Sequence, residues 1–270
     1  YEILRCLVGS EMCIRDSFLS ASTFVKAKVQ LPSILSSNMV LQQHTNVKLW
    51  GKAQKNSPIT IKTSWDNKTY KTIADKQGKW LLNISTPVAG GPYEITFNDG
   101  ELLTLKNILI GEVWFCSGQS NMEMPMSGFD RQPTQGTNDV IAKAKASTPI
   151  RIYNTDSKDG KWIRQFSKTP EEDCKGEWLE NTPVNVSHTS ATAYFFAQYL
   201  QEVLEVPVGI IISSLGGSKV EAWMSREAIT PFKSIDLSIL NNNEPIKNIT
   251  ATPCVLYNSK IAPVSYTHLR

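Results

Sequence analysis

Long apolar runs are missing from this sequence. Nowhere do the roughly 18–20 consecutive apolar residues occur that a bilayer-spanning helix needs. A strong charge of one sign is missing too: 28 Lys and Arg stand against 25 Asp and Glu, a net charge of +3 with no basic block. That balance gives no bulk attraction to nucleic acid or to an anionic membrane surface. Histidine is scarce, at three residues (His44, His188, His268), and no two of the five cysteines have CxxC spacing. A structural zinc site is therefore not expected, and no other cofactor is implied. An odd number of cysteines in a chain this long does not suggest a disulfide framework. Cys116, inside the apolar run Val113-Trp114-Phe115-Cys116, reads as a buried, inert thiol. Glycine (15) and proline (14) are near average usage, which excludes collagen-like and low-complexity chains. What is left is a soluble globular protein whose 270 residues suffice for two domains.

The two ends fit badly with what they adjoin. CLVGSEMCIRDS near the start and VSYTHL near the end resemble translated sequencing-adaptor text. On that reading 1–17 and 264–270 are foreign, the natural protein begins near Ser17 and is cut off near Pro263, and Cys6, Cys13 and His268 are not native. Ser17 to Ala27 is small, apolar and hydroxylated, with Val25-Lys26-Ala27 as a loose cleavage site. It reads as the back half of a secretory signal, which implies a secreted or periplasmic protein; the plainer alternative is a disordered N-terminus. Residues 1–28 are set aside as this foreign end plus signal remnant.

Between the ends the periodicity changes once. From 29 to 106 apolar residues alternate with period two: Ile59, Ile61 and Trp65; Trp80, Leu82 and Ile84; Tyr93, Ile95 and Phe97. Turn signals separate these runs, and Asn98-Asp99-Gly100 reads as a hairpin. This half is expected to be an antiparallel β-sandwich. From 107 to 263 the pattern is that of an α/β domain. Ile108 to Cys116 and Val208 to Ser213 are continuous apolar runs, as in parallel strands buried on both faces. Residues 138–146 suit a short helix capped by Asn138. Thr189 to Val206 carries a helical stripe of Phe195, Tyr199 and Val203, flanked by Phe196, Leu200 and Leu204. Ser187 or Thr189 would cap that helix and Pro207 would follow it.

Ligands of open α/β sheets bind outside the carboxyl ends of the strands. Two such ends carry unusual residues: Cys116-Ser-Gly-Gln-Ser120-Asn-Met-Glu123 and Ser213-Ser-Leu-Gly216-Gly217-Ser218. A serine in a glycine-bearing turn can present its hydroxyl to a carbonyl, and a Gly-Gly turn beside it can offer N–H groups to an oxyanion. The pattern alone leaves open that Ser117, Ser120 and Asn121 cap a helix and that Gly216-Gly217 is a loop. Methionine at 122 departs from the G-x-S-x-G elbow.

GEVWFCSGQSNMEMPM (111–126) resembles the first signature of the sialate O-acetylesterase family, a branch of the SGNH-type hydrolases. Further resemblances follow in order: LPSILSSNMVLQQ (31–43), AGGPYEI (89–95), TSATAYFFAQYL (189–200), VPVGIIISSLGGSKVEAWMS (206–225) and LYNSKIAP (256–263). The resemblance implies a three-layer, mostly parallel α/β domain, incomplete here, that cleaves acetyl esters from sugars such as sialic acid with a serine and without a metal. Ser120 matches the nucleophile, and the N–H groups of Ser120 and Gly217 match two oxyanion donors. Gln119, Asn121 and Gly216 match residues around the substrate, as do Ser218 and, from the flanks of the signatures, Glu123, Glu221 and Trp223. A third oxyanion donor, an asparagine, and the Asp and His partners of the serine are expected beyond Pro263, so that this chain alone would be inactive. The implied partner is an O-acetylated sugar or glycan, with no protein partner.

His188, before the long helix, reads as a capping or surface histidine. Glu112 and Glu123 could be a carboxylate pair for glycoside hydrolysis, but Glu112 reads better as structural. Trp50, Trp65 and Trp80 could form a sugar platform, but their strand positions favour core packing. A non-catalytic carbohydrate-binding protein is the rival in function, and an incidental α/β protein is the third possibility.

Overall fold

The structure, a computed structural model, describes residues 29–158 and 161–265. The readings of residues 1–28 and of 266–270 lie outside the described residues. Val264, the first residue of the foreign-looking tail, is described and packs into the main core.

Seven strands make the first half: β1 (Val40–Gln42), β2 (Asn46–Lys52), β3 (Pro58–Thr63), β4 (Thr69–Ile73), β5 (Lys79–Ser85), β6 (Gly90–Asn98) and β7 (Leu102–Gly118). The second half adds β8 (Ile150–Asn154), a two-residue ribbon β9 (Ser157–Lys158) and β10 (Lys161–Trp162), β11 (Trp178–Glu180) and β12 (Val208–Ser214). Its helices are α1 (Ser120–Glu123), α2 (Asn138–Lys143), α3 (Pro183–Ser187), α4 (Ala191–Leu204) and α5 (Arg226–Ile229).

One mixed sheet runs through the molecule in the order β11-β8-β12-β7-β6-β3-β4, with β1 also on β7. Its core is parallel: β12 lies between β7 and β8 and runs with both. The two flanks are antiparallel, β11 on β8 and the β6-β3-β4 meander on β7. Period-two alternation becomes side-chain facing, as it must in a pleated strand. Ile59, Ile61, Ile95 and Phe97 turn inward from the meander and meet Val47, Leu49, Trp80 and Ile84 of the separate antiparallel ribbon β2–β5. Trp80 is core, and Trp50 and Trp65 are half-buried against the same cluster. The hairpin forms as the turn residues require: Asn98 Oδ1 accepts from Gly100 N, at 2.9 Å, and Asn98 pairs with Leu102.

The strands of the parallel core explain their own composition. All seven residues of β12 are buried, which needs apolar or self-satisfied side chains on both faces. One face holds Ile150, Ile152, Val208, Ile210 and Ile212 beneath α4. The other, at Val113 and Ile211, meets Ile34, Leu35 and Trp178 around a void of about 20 Å³. Helix α4 thus covers one face of the parallel strands, and on the other Val113 and Ile211 share a cluster with Ile34, Leu35, Trp178 and Val264.

The change of pattern near 106–108 falls inside β7, a continuous strand of 17 residues. Three local readings change. Helix α2 starts at Asn138 and is preceded by Thr137, so Asn138 is not its cap. Helix α4 is capped by Ser190, whose side chain accepts from Ala193 N. It buries Ala191, Ala193, Tyr194 and Ala197, not the Phe195–Tyr199–Val203 stripe, and Tyr199 is 70% exposed. The alanines let the helix axis approach the sheet, and the larger side chains turn outward. Phe196 keeps one contact, edge-on to Trp114 at 5.1 Å between ring centroids.

Glu112 is structural, as read from the sequence. Its carboxylate accepts from Gln43 Nε2 at 2.9 Å and Gln42 Nε2 at 3.2 Å, which ties β1 to β7. Next to it, Gly111 is squeezed against the residue before β12: a Cβ there would lie 1.9 Å from Pro207 O, the atom that accepts from Glu112 N. Backbone cannot yield as a side chain can. Gly111→Ala is expected to cost about 3 kcal/mol or more, by overpacking the sheet centre. Urea denaturation reads this directly, and an unchanged midpoint would show that Pro207 can withdraw.

Candidate functional site

β7 and β12 end side by side and point the same way, with Ser117 paired to Ser213 and Gly118 to Ser214. Both signatures therefore leave the sheet at one edge, the carboxyl edge at which open α/β sheets bind ligands. From Gly118 the chain enters α1, a single helical turn in which Glu123 N donates to Gln119 O and Met124 N to Ser120 O. Ser120 is exposed at its first position. Among the described residues its Oγ has no hydrogen-bond partner, and its N–H has no acceptor.

Beside it, the turn Leu215–Ser218 is held by several hydrogen bonds. Leu215 N donates to Gly118 O at 3.1 Å, and Ser218 N to Leu215 O at 3.3 Å. Gly216 N donates to Glu123 Oε2 at 2.6 Å. Gln119 Nε2 donates to Ser218 O. Ser218 Oγ donates to Leu215 O at 2.7 Å and accepts from Trp223 Nε1 at 2.8 Å. Only the N–H of Gly217 is left without an acceptor among the described residues. Gly217 has φ +71°, and nothing lies within 4 Å of a Cβ built on it. Its glycine is set by backbone conformation, since a left-handed residue with a side chain is strained. Gly216 is a glycine for the opposite reason. A Cβ there would stand 2.5 Å from Glu123 Oε2 and 3.8 Å from Ser120 Cα, so the two signatures touch at this point.

The residues named from sequence are thus put to different uses. Ser120, Gln119, Glu123 and Gly216 form one cluster with the turn. Ser218 is 1% exposed and serves the turn's own scaffold, with Trp223 behind it, so neither offers its polar atom to a ligand. Asn121 is exposed, and its carbonyl accepts from Thr192 Oγ1 of α4. Glu221 bonds Cys254 N through its carbonyl, and no bond ties it to this cluster. His188 is exposed at the end of α3, away from any bond to Ser120. Cys116, two residues before the site strand ends, is buried, and burial pushes its thiol up to about 11. It is no nucleophile at neutral pH.

Two functional candidates were missed. Asp156 and Lys260 are both buried and paired at 2.5 Å, and the Lys260 ammonium lies 5.7 Å from the Trp223 ring centroid. Burial holds the Asp156 carboxyl above the usual carboxylate range; Lys260 opposes this and the nearby Glu123 charge adds to it. Together with Glu123 and Arg164 the pair lines a cavity of about 240 Å³ that reaches Ser214 and Leu215. Asp156 could have been suspected from its place just past a parallel strand. Nothing in the sequence marks Lys260 as buried. A larger cleft, about 850 Å³, lies between the β2–β5 ribbon and residues 170–173, but no residue of either signature lines it.

A bare serine hydroxyl beside an unengaged backbone N–H, at one strand edge, is the outline of an acyl-transfer site. Comparison with known proteins agrees with this class. The chain is 26% identical over 212 residues to the sialate O-acetylesterase of Mus musculus, covering 73% of this chain and 38% of that protein. It is 25% identical over 212 residues to the Homo sapiens sialate O-acetylesterase, covering 73% and 39%. A solved structure of a carbohydrate acetylesterase from Xanthomonas citri superposes with a TM-score of 0.74 at 28% identity, over 90% of this chain and 50% of that one. No protein-family model matches. The chain is thus similar to sialate O-acetylesterases and to a carbohydrate acetylesterase of known structure. It spans about two fifths of the length of those curated relatives.

Proposed function

We propose that this chain carries the nucleophile and oxyanion half of a serine-dependent carbohydrate O-acetylesterase. The observation that carries the reading is the turn Leu215–Ser218, in which every other N–H is engaged and that of Gly217 is left open beside Ser120. In this reading Ser120 Oγ attacks the acetyl carbonyl while its proton passes to a base. The tetrahedral oxyanion takes the N–H groups of Ser120 and Gly217. Collapse breaks the sugar C–O–acetyl ester, the sugar hydroxyl leaves with the proton, and water then releases acetate from the acetyl-serine. The cavity beside Glu123 has Arg164 and Gln165 in its lining, polar groups that could hold sugar hydroxyls.

The domain reading, a β-sandwich at 29–106 before an esterase domain at 107–263, is supported by the ribbon β2–β5 facing the meander across one core. A secreted or periplasmic site of action rests on the signal-like residues 17–27. Among the described residues no helix is long and apolar enough to cross a membrane. None of them offers Ser120 Oγ a histidine partner either, so low turnover is expected of the 270-residue chain by itself.

An alkyl fluorophosphonate tests the proposal. Peptide mapping after reaction should find the adduct on Ser120. Retention on an acetylated-glycan resin with no adduct at Ser120 would favour the carbohydrate-binding rival.

A further inference from the structure

We propose that Glu123 is a positioning residue that makes the nucleophile turn and the oxyanion turn a single rigid unit. The proposal rests on the acyl-transfer reading of Ser120 and Gly217. Glu123 belongs to the same helical turn as Ser120, and that turn is closed by Glu123 N on Gln119 O and Met124 N on Ser120 O. Its side chain leaves this turn and crosses to the other signature, where Oε2 accepts from Gly216 N at 2.6 Å. A charged acceptor on a neutral N–H makes this the strongest of the backbone bonds that hold Leu215–Ser218. Gly217 N–H lies in the next peptide plane, and it is confined because Gly216 N is anchored on one side and Ser218 N is tied to Leu215 O on the other.

The neighbourhood leaves space for the Glu123 carboxyl group at this place. Gly216 has no Cβ, and one would lie 2.5 Å from Oε2. The carboxylate thus occupies the space that any side chain at 216 would take. The Asp156 carboxylate is close enough for its protonation to respond to the Glu123 charge, and Lys260 neutralises that second acid. Glu123 therefore lies electrostatically next to the buried Asp156–Lys260 pair, whose Lys260 stands over Trp223, and Trp223 Nε1 returns to the turn at Ser218 Oγ. The turn is gripped from both sides, with Gly217 between the grips.

A role as general acid or base fits less well. Oε2 already accepts a hydrogen bond, and no bond links the carboxylate to Ser120 Oγ. The role is geometric, and it predicts that the acceptor oxygen matters while the charge does not.

The test uses the 270-residue chain with Glu123→Ala, Glu123→Gln and Gly216→Ala. Glutamine keeps an acceptor oxygen, and alanine at 216 expels the carboxylate from its place without removing it. Two readouts are taken. The first is NMR of the Gly216 and Gly217 amides. Their solvent exchange should quicken about tenfold or more in Glu123→Ala and Gly216→Ala and stay near the parent's in Glu123→Gln. The second is Ser120-dependent hydrolysis of p-nitrophenyl acetate with imidazole as external base, the Ser120→Ala rate being subtracted. There kcat should fall about tenfold, to near the Ser120→Ala background, in the two alanine variants, because an oxyanion donor acts in the transition state. Glu123→Gln should recover most of kcat.

Parent-like amide exchange in Glu123→Ala would overturn the proposal. So would parent-like kcat in that variant, or a glutamine variant as impaired as the alanine one. If the parent chain shows no Ser120-dependent hydrolysis at all, the esterase reading is what fails, and the amide exchange decides the role of Glu123 by itself.

Discussion

Ser120→Ala is expected to erase acetate release while leaving the fold as stable as before. The second half of that expectation follows from the surroundings of the side chain. Ser120 is exposed and its Oγ bonds nothing among the described residues, so its removal deletes no contact and opens no cavity. Changes at such surface positions stay within about 0.5 kcal/mol. The first half follows from chemistry. In a well-assembled serine hydrolase, loss of the serine alone costs on the order of 10⁶ in kcat. Here the contrast is compressed, because an unassisted hydroxyl is a weak nucleophile and, among the described residues, no histidine bonds Ser120. Imidazole in solution can take the proton, and on the order of tenfold separation between parent and Ser120→Ala is expected under that condition. Acetate released from an O-acetylated sugar is the measurement, with thermal unfolding run in parallel. Equal rates for the two proteins, with and without imidazole, would remove Ser120 from the mechanism.

Asp156→Ala is expected to have the largest effect on stability. The substitution leaves the Lys260 ammonium, 2% exposed, without its carboxylate. Breaking a buried pair in this way costs about 3–5 kcal/mol, since an uncompensated charge remains in a poorly polarisable place. In a chain of this size each kcal/mol lowers Tm by roughly 2–4 °C, so a drop of about 6–20 °C is expected. Removing both charges should do much less harm. In Asp156→Ala with Lys260→Met, the thioether replaces the ammonium beside Trp223, a favourable sulfur–aromatic contact. Recovery of at least half the lost Tm in the double variant would show that the cost is electrostatic. A double variant as unstable as Asp156→Ala would assign the loss to packing instead.

How much of this was legible in the sequence differs from element to element. Strand alternation was, because a pleated strand with one buried face has only one way to order Ile59, Ile61, Ile95 and Phe97. So were the two apolar runs that became β7 and β12. The face of α4 was not. Phe195, Tyr199 and Val203 form the stronger apolar stripe, but the sheet accepts the small side of the helix, where Ala193 and Ala197 permit close approach. Hydrophobicity marks what can be buried; the space available decides what is. That Ser120 and Gly217 follow neighbouring strand ends was legible, since each turn comes directly after one of the two apolar runs. The assignment of Ser218 and Trp223 to the scaffold was not, because a serine hydroxyl or an indole N–H can face a ligand or a carbonyl equally well. Asp156 and Lys260 are 104 residues apart, and no periodicity links them.

The length of β7 has a consequence for how this protein can be taken apart. Its early residues pair with β6 and its later ones with β12, so the meander and the parallel strands share one unbroken backbone. Cutting the chain at the change of pattern near 106 would not separate two modules. It would leave each piece with part of a strand and an open edge that invites association with another chain. Grafting the first half onto another catalytic scaffold, or the reverse, would need the whole of Leu102–Gly118 to travel with the graft. Shuffling of domains between relatives of this chain is therefore constrained by a hydrogen-bonding register, in addition to the fit of one surface on another.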